Sequence, residues 1–182
     1  MFALRDRIAS GDNSRLCVWI LPGQLAASQR PLRDDPCFPH TDPLPVSARS
    51  KVQDWVKHMK NEVGIRSVIC LLTARQLKRY YISGGLDLHP EGLLGYYDSQ
   101  GLKVSPIETP DFEPPSSDIM NRALRAFQSL PKPILLHCSA AIDRTTPIAA
   151  FIASQCDDNE LAPELREPLH VSPRATGKRR VK

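Results

Sequence analysis

Nine consecutive residues, His137-Cys138-Ser139-Ala140-Ala141-Ile142-Asp143-Arg144-Thr145, carry the residue types that could do chemistry on an anion. Cys138 and Arg144 are separated by five residues. An apolar run, Pro133 to Leu136, precedes them and reads as a buried strand; Thr145 to Ala153 follows and reads as a helix. A short loop between a strand and a helix N-terminus is a phosphate cradle. Its backbone N–H groups and the positive end of the helix dipole face an anion, and an arginine can close over that anion with a two-pronged fork. The same positive field favours the thiolate of a cysteine at its base, so the loop predicts a sulfur nucleophile aimed at phosphorus. Ser139, Ala140, Ala141, Ile142, Asp143 and Arg144 are then the phosphate-binding residues. A second reactive group lies 27 residues before the cysteine: Asp111, inside Thr109-Pro110-Asp111-Phe112-Glu113-Pro114-Pro115. Three prolines stiffen that loop, which suits an acid held in one place.

The elements around these residues read as an α/β domain. Leu16 to Ile20, Pro22-Gly23 and Gln24 to Ala27 suggest a hairpin. The proline-rich stretch from Ser28 to Pro45 suggests an extended surface loop. Ser47 is placed to cap a helix running to Val63, with Val52, Trp55, Val56 and Met59 on one face and His58 off it. Ile65 to Leu72 reads as a strand covered on both faces. Thr73 can cap a helix bearing Leu77, Tyr80 and Tyr81, whose Lys78-Arg79 pair is read as exposed, and Pro90 can open another reaching Tyr97. Leu102 to Ile107 reads as a strand leading to the Asp111 loop, and Ser116 or Ser117 starts a helix through Leu130. Together these predict a central, mostly parallel sheet flanked by helices. The domain is read as residues 14–157, between a loose arm at 1–13 and a charged tail at 158–182.

Composition narrows the class. The chain has 182 residues and a formal charge of +4. The tail from Leu169 to Lys182 holds Arg174, Lys178, Arg179, Arg180 and Lys182 and no acid, leaving the rest near neutral. This basicity suits contact of the tail with an anionic surface and gives no specific nucleic-acid partner. The five cysteines contain no C-x-x-C pair, so no metal site or disulfide framework is expected, and a cytoplasmic location is. No apolar run is long enough for a membrane helix.

The loop resembles the signature of the protein tyrosine phosphatase superfamily, specifically its small dual-specificity branch, in which H-C-x-x-G-x-x-R-[ST] is the motif. Val18-Trp19-Ile20-Leu21-Pro22-Gly23-Gln24-Leu25-Ala26 is similar to the opening of compact members, and Gly64 to Thr73 to their central strand. Pro106 to Pro115 is similar to their general-acid loop, and Leu77 to Tyr97 resembles cyclin-dependent-kinase-associated phosphatases. The resemblance implies a phosphatase that needs no cofactor or metal and acts on phosphomonoesters of a protein or small molecule: phosphotyrosine, and also phosphoserine or phosphothreonine. It implies that Cys138 is the nucleophile, Arg144 the phosphate clamp and Asp111 the general acid. His137 would orient the loop, and Thr145 would donate its hydroxyl to the thiolate.

Two departures frame the alternatives. Ala141 stands where the motif has glycine, at a backbone position expected to turn tightly. The resemblance also implies two helices after the nucleophile helix, and residues 157–182 do not read as such helices. One alternative is a phosphatase for phosphoinositides or other non-protein monoesters, which Asp143 before Arg144 suggests. The other is a catalytically weak pseudophosphatase that binds phosphorylated partners.

Overall fold

The computed structural model describes residues 17–33, 35–38, 43–80 and 86–156. The expected arm at 1–13, the tail at 158–182 and the continuation of the Thr73 helix through Tyr81 lie outside the described residues.

Five strands form one sheet in the order β1-β2-β5-β3-β4. β1 (Cys17–Leu21) and β2 (Leu25–Ser28) are antiparallel and joined by the Pro22-Gly23 turn, as their spacing predicts; Gly23 takes a φ of +68°, which glycine adopts without a Cβ clash. The remaining pairs are parallel: β2 with β5 (Ile134–His137), β5 with β3 (Ser67–Cys70), and β3 with β4 (Lys103–Pro106). β5 is therefore the central strand. All four of its residues are buried, and its three apolar residues Ile134, Leu135 and Leu136 run without a break, as in a strand covered on both faces.

Side chains alternate across the sheet into two cores. One gathers Ala26, Val68, Cys70 and Leu135 with Val52, Trp55, Val56 and Met59 of α1 (Arg49–Asn61) and Leu93 and Tyr97 of α3 (Gly92–Ser99). The other gathers Leu25, Ile69, Ile134 and Leu136 with Ala123 and Phe127 of α4 (Ser117–Ser129) and Ile148, Ala149 and Ile152 of α5 (Thr145–Ala153). The short helix between β3 and α3, α2 (Ala74–Leu77), continues as a 3-10 turn through Tyr80.

Caps explain where the helices start. Ser116 accepts from the Ile119 amide at 3.4 Å, and Thr73 forms a reciprocal box with Gln76. Ser47 does not cap α1. The chain is already helical there, in a 3-10 turn from Val46 to Ala48, so the α-helix begins at Arg49 behind Ala48. Arg79, read as exposed beside Lys78, is buried at 4% exposure and donates to the Phe38 carbonyl at 3.2 Å. The loop after β2 folds over the sheet and takes this cation into hydrogen bonds, a long-range contact that local polarity does not reveal. His58 is partly buried, with Nδ1 2.9 Å from Glu62 Oε2 one helical turn on.

Candidate active site

Every parallel strand ends at the same edge of the sheet, and each delivers one part of the site there. β5 ends in His137, and Cys138 follows immediately, 1% exposed at the base of the loop. β3 leads to Leu71 and Gln76, β4 to Thr109 and Asp111, and β2 to Arg30. Ladder bonds extend past the strand ends: Leu71 N donates to the His137 carbonyl at 2.9 Å, and Ile107 N to the Cys70 carbonyl at 2.9 Å. The register of these strands thus carries residues distant in sequence to one place.

The loop from Cys138 to Arg144 has an unusual backbone. Ala141 has a φ of +60° and is 1% exposed, confirming a tight left-handed turn at the position where glycine was expected. For an L-residue with a Cβ this conformation costs about 1 to 2 kcal/mol. The backbone N–H groups from Ser139 to Arg144 donate to no acceptor among the described residues. α5 begins directly after Arg144 with no side-chain cap. Unpaired donors gathered before a helix N-terminus form an anion-binding concavity.

Arg144 is 1% exposed, and its guanidinium is oriented from one side only. Nη1 donates to the carbonyls of Leu71 at 3.1 Å and Thr109 at 3.3 Å and to Gln76 Oε1 at 2.8 Å. Nη2 lies 2.9 Å from Asp111 Oδ1. Nε is buried and makes no hydrogen bond among the described residues. The anchored Nη1 leaves the Nε and Nη2 edge as the fork that an oxyanion would meet.

Asp111, predicted from its proline-rich loop, is brought directly to this arginine. Its other oxygen, Oδ2, accepts from Gln76 Nε2 at 2.7 Å. The next residue, Phe112, is 87% exposed at a φ of +64°.

His137 is buried between the Tyr97 and Trp55 rings, both edge-on, with centroids 5.9 and 6.4 Å away. Its Nε2 lies 3.3 Å from the Tyr97 hydroxyl and its Nδ1 3.3 Å from the Cys138 carbonyl. A neutral ring protonated on Nδ1 satisfies both contacts, donating to the carbonyl and accepting from the phenol. Burial, reinforced by the cations of Arg144 and Arg30, pushes His137 down to about 4. Ser139 is held twice by Arg30, whose backbone N–H donates to its carbonyl at 3.1 Å and whose Nε donates to its hydroxyl at 2.9 Å. Thr145 is buried, but its hydroxyl, expected to donate to Cys138, has no hydrogen-bond partner among the described residues. Thr146 instead closes the loop, its hydroxyl donating to the Ala141 carbonyl at 3.2 Å. Ala140 and Ile142 are partly exposed, and Asp143 is exposed.

Sequence reading missed Gln76 and Arg30. Gln76 had one visible signal, its position three residues after Thr73, which marks it as part of a capping box. Nothing local marks Arg30. Among the described residues no cluster of His, Cys, Asp and Glu could hold a metal ion, and no helix is long and apolar enough to cross a membrane.

A central strand, a cysteine-to-arginine loop and a helix at the carboxyl edge of a mostly parallel sheet make a fold shared with solved phosphatase structures. Among solved structures, the chain is similar to the kinase associated phosphatase with its catalytic-site cysteine replaced by serine: 16% identity, 85% of this chain and 81% of that one covered, TM-score 0.50. It is also similar to the core catalytic domain of the PP-IP phosphatase Siw14 from S. cerevisiae, at 17% identity and TM-score 0.49, with 79% of this chain covered. A putative phosphatase (DUF442) from Shewanella putrefaciens CN-32 follows at 19% identity and TM-score 0.47, with 81% and 72% covered. The chain spans 66% of the length of the Siw14 structure. No family model matches the chain, and no curated protein matches it in sequence.

Proposed function

We propose that the protein is a cysteine-dependent phosphatase acting on phosphomonoesters, with phosphotyrosine-like aryl esters as its substrates. The observation that carries this reading is the buried Arg144 guanidinium, six residues after Cys138, anchored through Nη1 and with Nε unpaired among the described residues, its Nη2 2.9 Å from the Asp111 carboxylate. A clamp, a nucleophile and an acid share one edge of the sheet.

In the first step the Cys138 thiolate attacks phosphorus, the ester P–O bond breaks, and Asp111 transfers its proton to the departing oxygen. In the second, water attacks the phosphocysteine, Asp111 takes the water proton, and the S–P bond breaks to release inorganic phosphate. The loop N–H groups and the open edge of Arg144 meet the charge on the equatorial oxygens. The positive field needed for this comes from the chain itself.

Phe112 supports the aryl preference. An acid that protonates the leaving oxygen has the organic group of the ester beside it, and the adjoining residue is an exposed ring held at a φ of +64°. An aromatic pair there contributes about 0.5 to 1.5 kcal/mol. The alternative monoesters of polyols gain nothing from such a ring. Ala141 is the observation favouring a second reading, a pseudophosphatase, because its strained backbone lies within the cradle.

The test is hydrolysis of an aryl phosphate by the wild type, Cys138→Ser and Asp111→Asn, with and without a chelator. Turnover by the wild type that is lost in Cys138→Ser supports the enzyme. A wild type no faster than Cys138→Ser sinks it, and binding of a phosphopeptide without turnover would select the pseudophosphatase.

A further inference from the structure

Gln76 lies outside the loop, its preceding strand and the acid-bearing segment, yet one amide touches both charged members of the site. Oε1 accepts from Arg144 Nη1 at 2.8 Å and from the Thr73 backbone N–H at 3.3 Å, while Nε2 donates to Asp111 Oδ2 at 2.7 Å. The orientation of the amide is determined by its neighbours. A guanidinium only donates and an ionised carboxylate only accepts, so the reversed amide would set donor against donor and acceptor against acceptor. The helix cap fixes the side chain as well: Gln76 N donates to Thr73 Oγ1 at 3.2 Å, completing the box at the start of α2.

We infer that Gln76 is a positioning residue that joins the phosphate clamp Arg144 to the acid Asp111 and holds the acid at the leaving-group side of the cradle. This deepens, and rests on, the phosphatase reading above. The chemistry requires an amide of this length. Glutamate supplies the acceptor for Arg144 but no donor for Asp111, lysine supplies a donor but no acceptor, and asparagine is one methylene shorter. Arg144 does not depend on Gln76 alone, because the carbonyls of Leu71 and Thr109 also hold Nη1. Among the described residues Asp111 has only Arg144 and Gln76 as side-chain partners, so loss of the amide falls chiefly on the acid. Phosphate binding persists, and help to the leaving group is what goes.

Leaving-group dependence separates these roles. p-Nitrophenyl phosphate expels a stable phenolate and has little need of an acid; phenyl phosphate needs the proton. In Gln76→Met the kcat/KM for phenyl phosphate should fall roughly 10-fold further than for p-nitrophenyl phosphate, within the range that a positioned acid contributes. Affinity for inorganic phosphate should stay within about threefold of the wild type, because the interaction lost is one made in the transition state. Gln76→Glu keeps the capping box and the Arg144 acceptor but replaces the donor to Asp111 with a second carboxylate set against it, and should show the same selective loss. Equal losses on both esters, or full activity in Gln76→Glu, would overturn the inference. If the wild type hydrolyses neither ester faster than Cys138→Ser, the phosphatase reading fails on its own, and a crystal structure of Gln76→Met decides the positioning. The inference requires the Asp111 carboxylate to leave Arg144 in that variant, and a retained pair overturns it.

Discussion

Asp111 Oδ1 lies 2.9 Å from Arg144 Nη2, so the group read as acid and the group read as clamp are already paired across the site. Arg144 is 1% exposed on its side chain and Asp111 28%, which makes the carboxylate the accessible, displaceable partner. In the proposed reaction an entering phosphate would meet Nε, which has no hydrogen-bond partner among the described residues, beside this pair.

Asp111→Asn removes the transferable proton while keeping the shape of the side chain. Hydrolysis of phenyl phosphate should fall by ~10² to 10⁴ in kcat, the usual worth of a positioned acid. Steady-state kinetics against p-nitrophenyl phosphate is the control, since the loss there should be smaller.

Ala141→Gly relieves about 1 to 2 kcal/mol of left-handed strain. Against that stand the lost burial of one methyl, about 0.8 kcal/mol, and a more flexible unfolded chain, about 0.4 to 1 kcal/mol. These nearly cancel, so stability measured in urea should change by less than about 1 kcal/mol. The cradle is where a difference should show, as higher turnover and tighter vanadate binding; identical kinetics would mean that the loop tolerates the alanine as it stands.

Phe112→Gly relieves the same kind of strain with no burial to lose, since the ring is 87% exposed. The melting temperature should hold or rise. KM for aryl phosphates should increase by roughly 2- to 12-fold, the equivalent of the ~0.5 to 1.5 kcal/mol of an aromatic contact, and KM for an alkyl phosphate should not move. A parallel rise for both esters would remove the ring from substrate recognition.

His137 makes stability depend on pH. Its folded value is about 4, pushed down by burial, against an ordinary 6.5. The unfolded chain therefore binds the extra proton between these values, and stability falls as pH drops from about 6.5 toward 4 while remaining flat above. Between pH 7.5 and pH 5 the loss should be about 2 kcal/mol from this group. Urea denaturation at the two values measures it, and His137→Asn should flatten that part of the profile.

Much of the site was legible in the chain because its signals are local. A run of buried residues, a cysteine and an arginine at fixed spacing, and an acid among prolines are properties of neighbouring residues. Capping at Thr73 and Ser116 belongs to the same kind of information, since it depends on chain separation within one turn. Even the strain at Ala141 was expected, because the requirement for a left-handed turn comes from the loop itself.

The tertiary structure decided what local pattern does not encode. Ser47 looked like a cap, but the turn before it had already begun; Arg79 looked exposed, but a distant segment covers it. Gln76 reaches Asp111 only because β3 and β4 are paired in parallel, with Cys70 opposite Pro106, so that the loops leaving both strands emerge at one edge. The sequence by itself determined which groups the proposed chemistry would use. Strand register and burial, which are non-local, determined how those groups are held and which silent amide joins them.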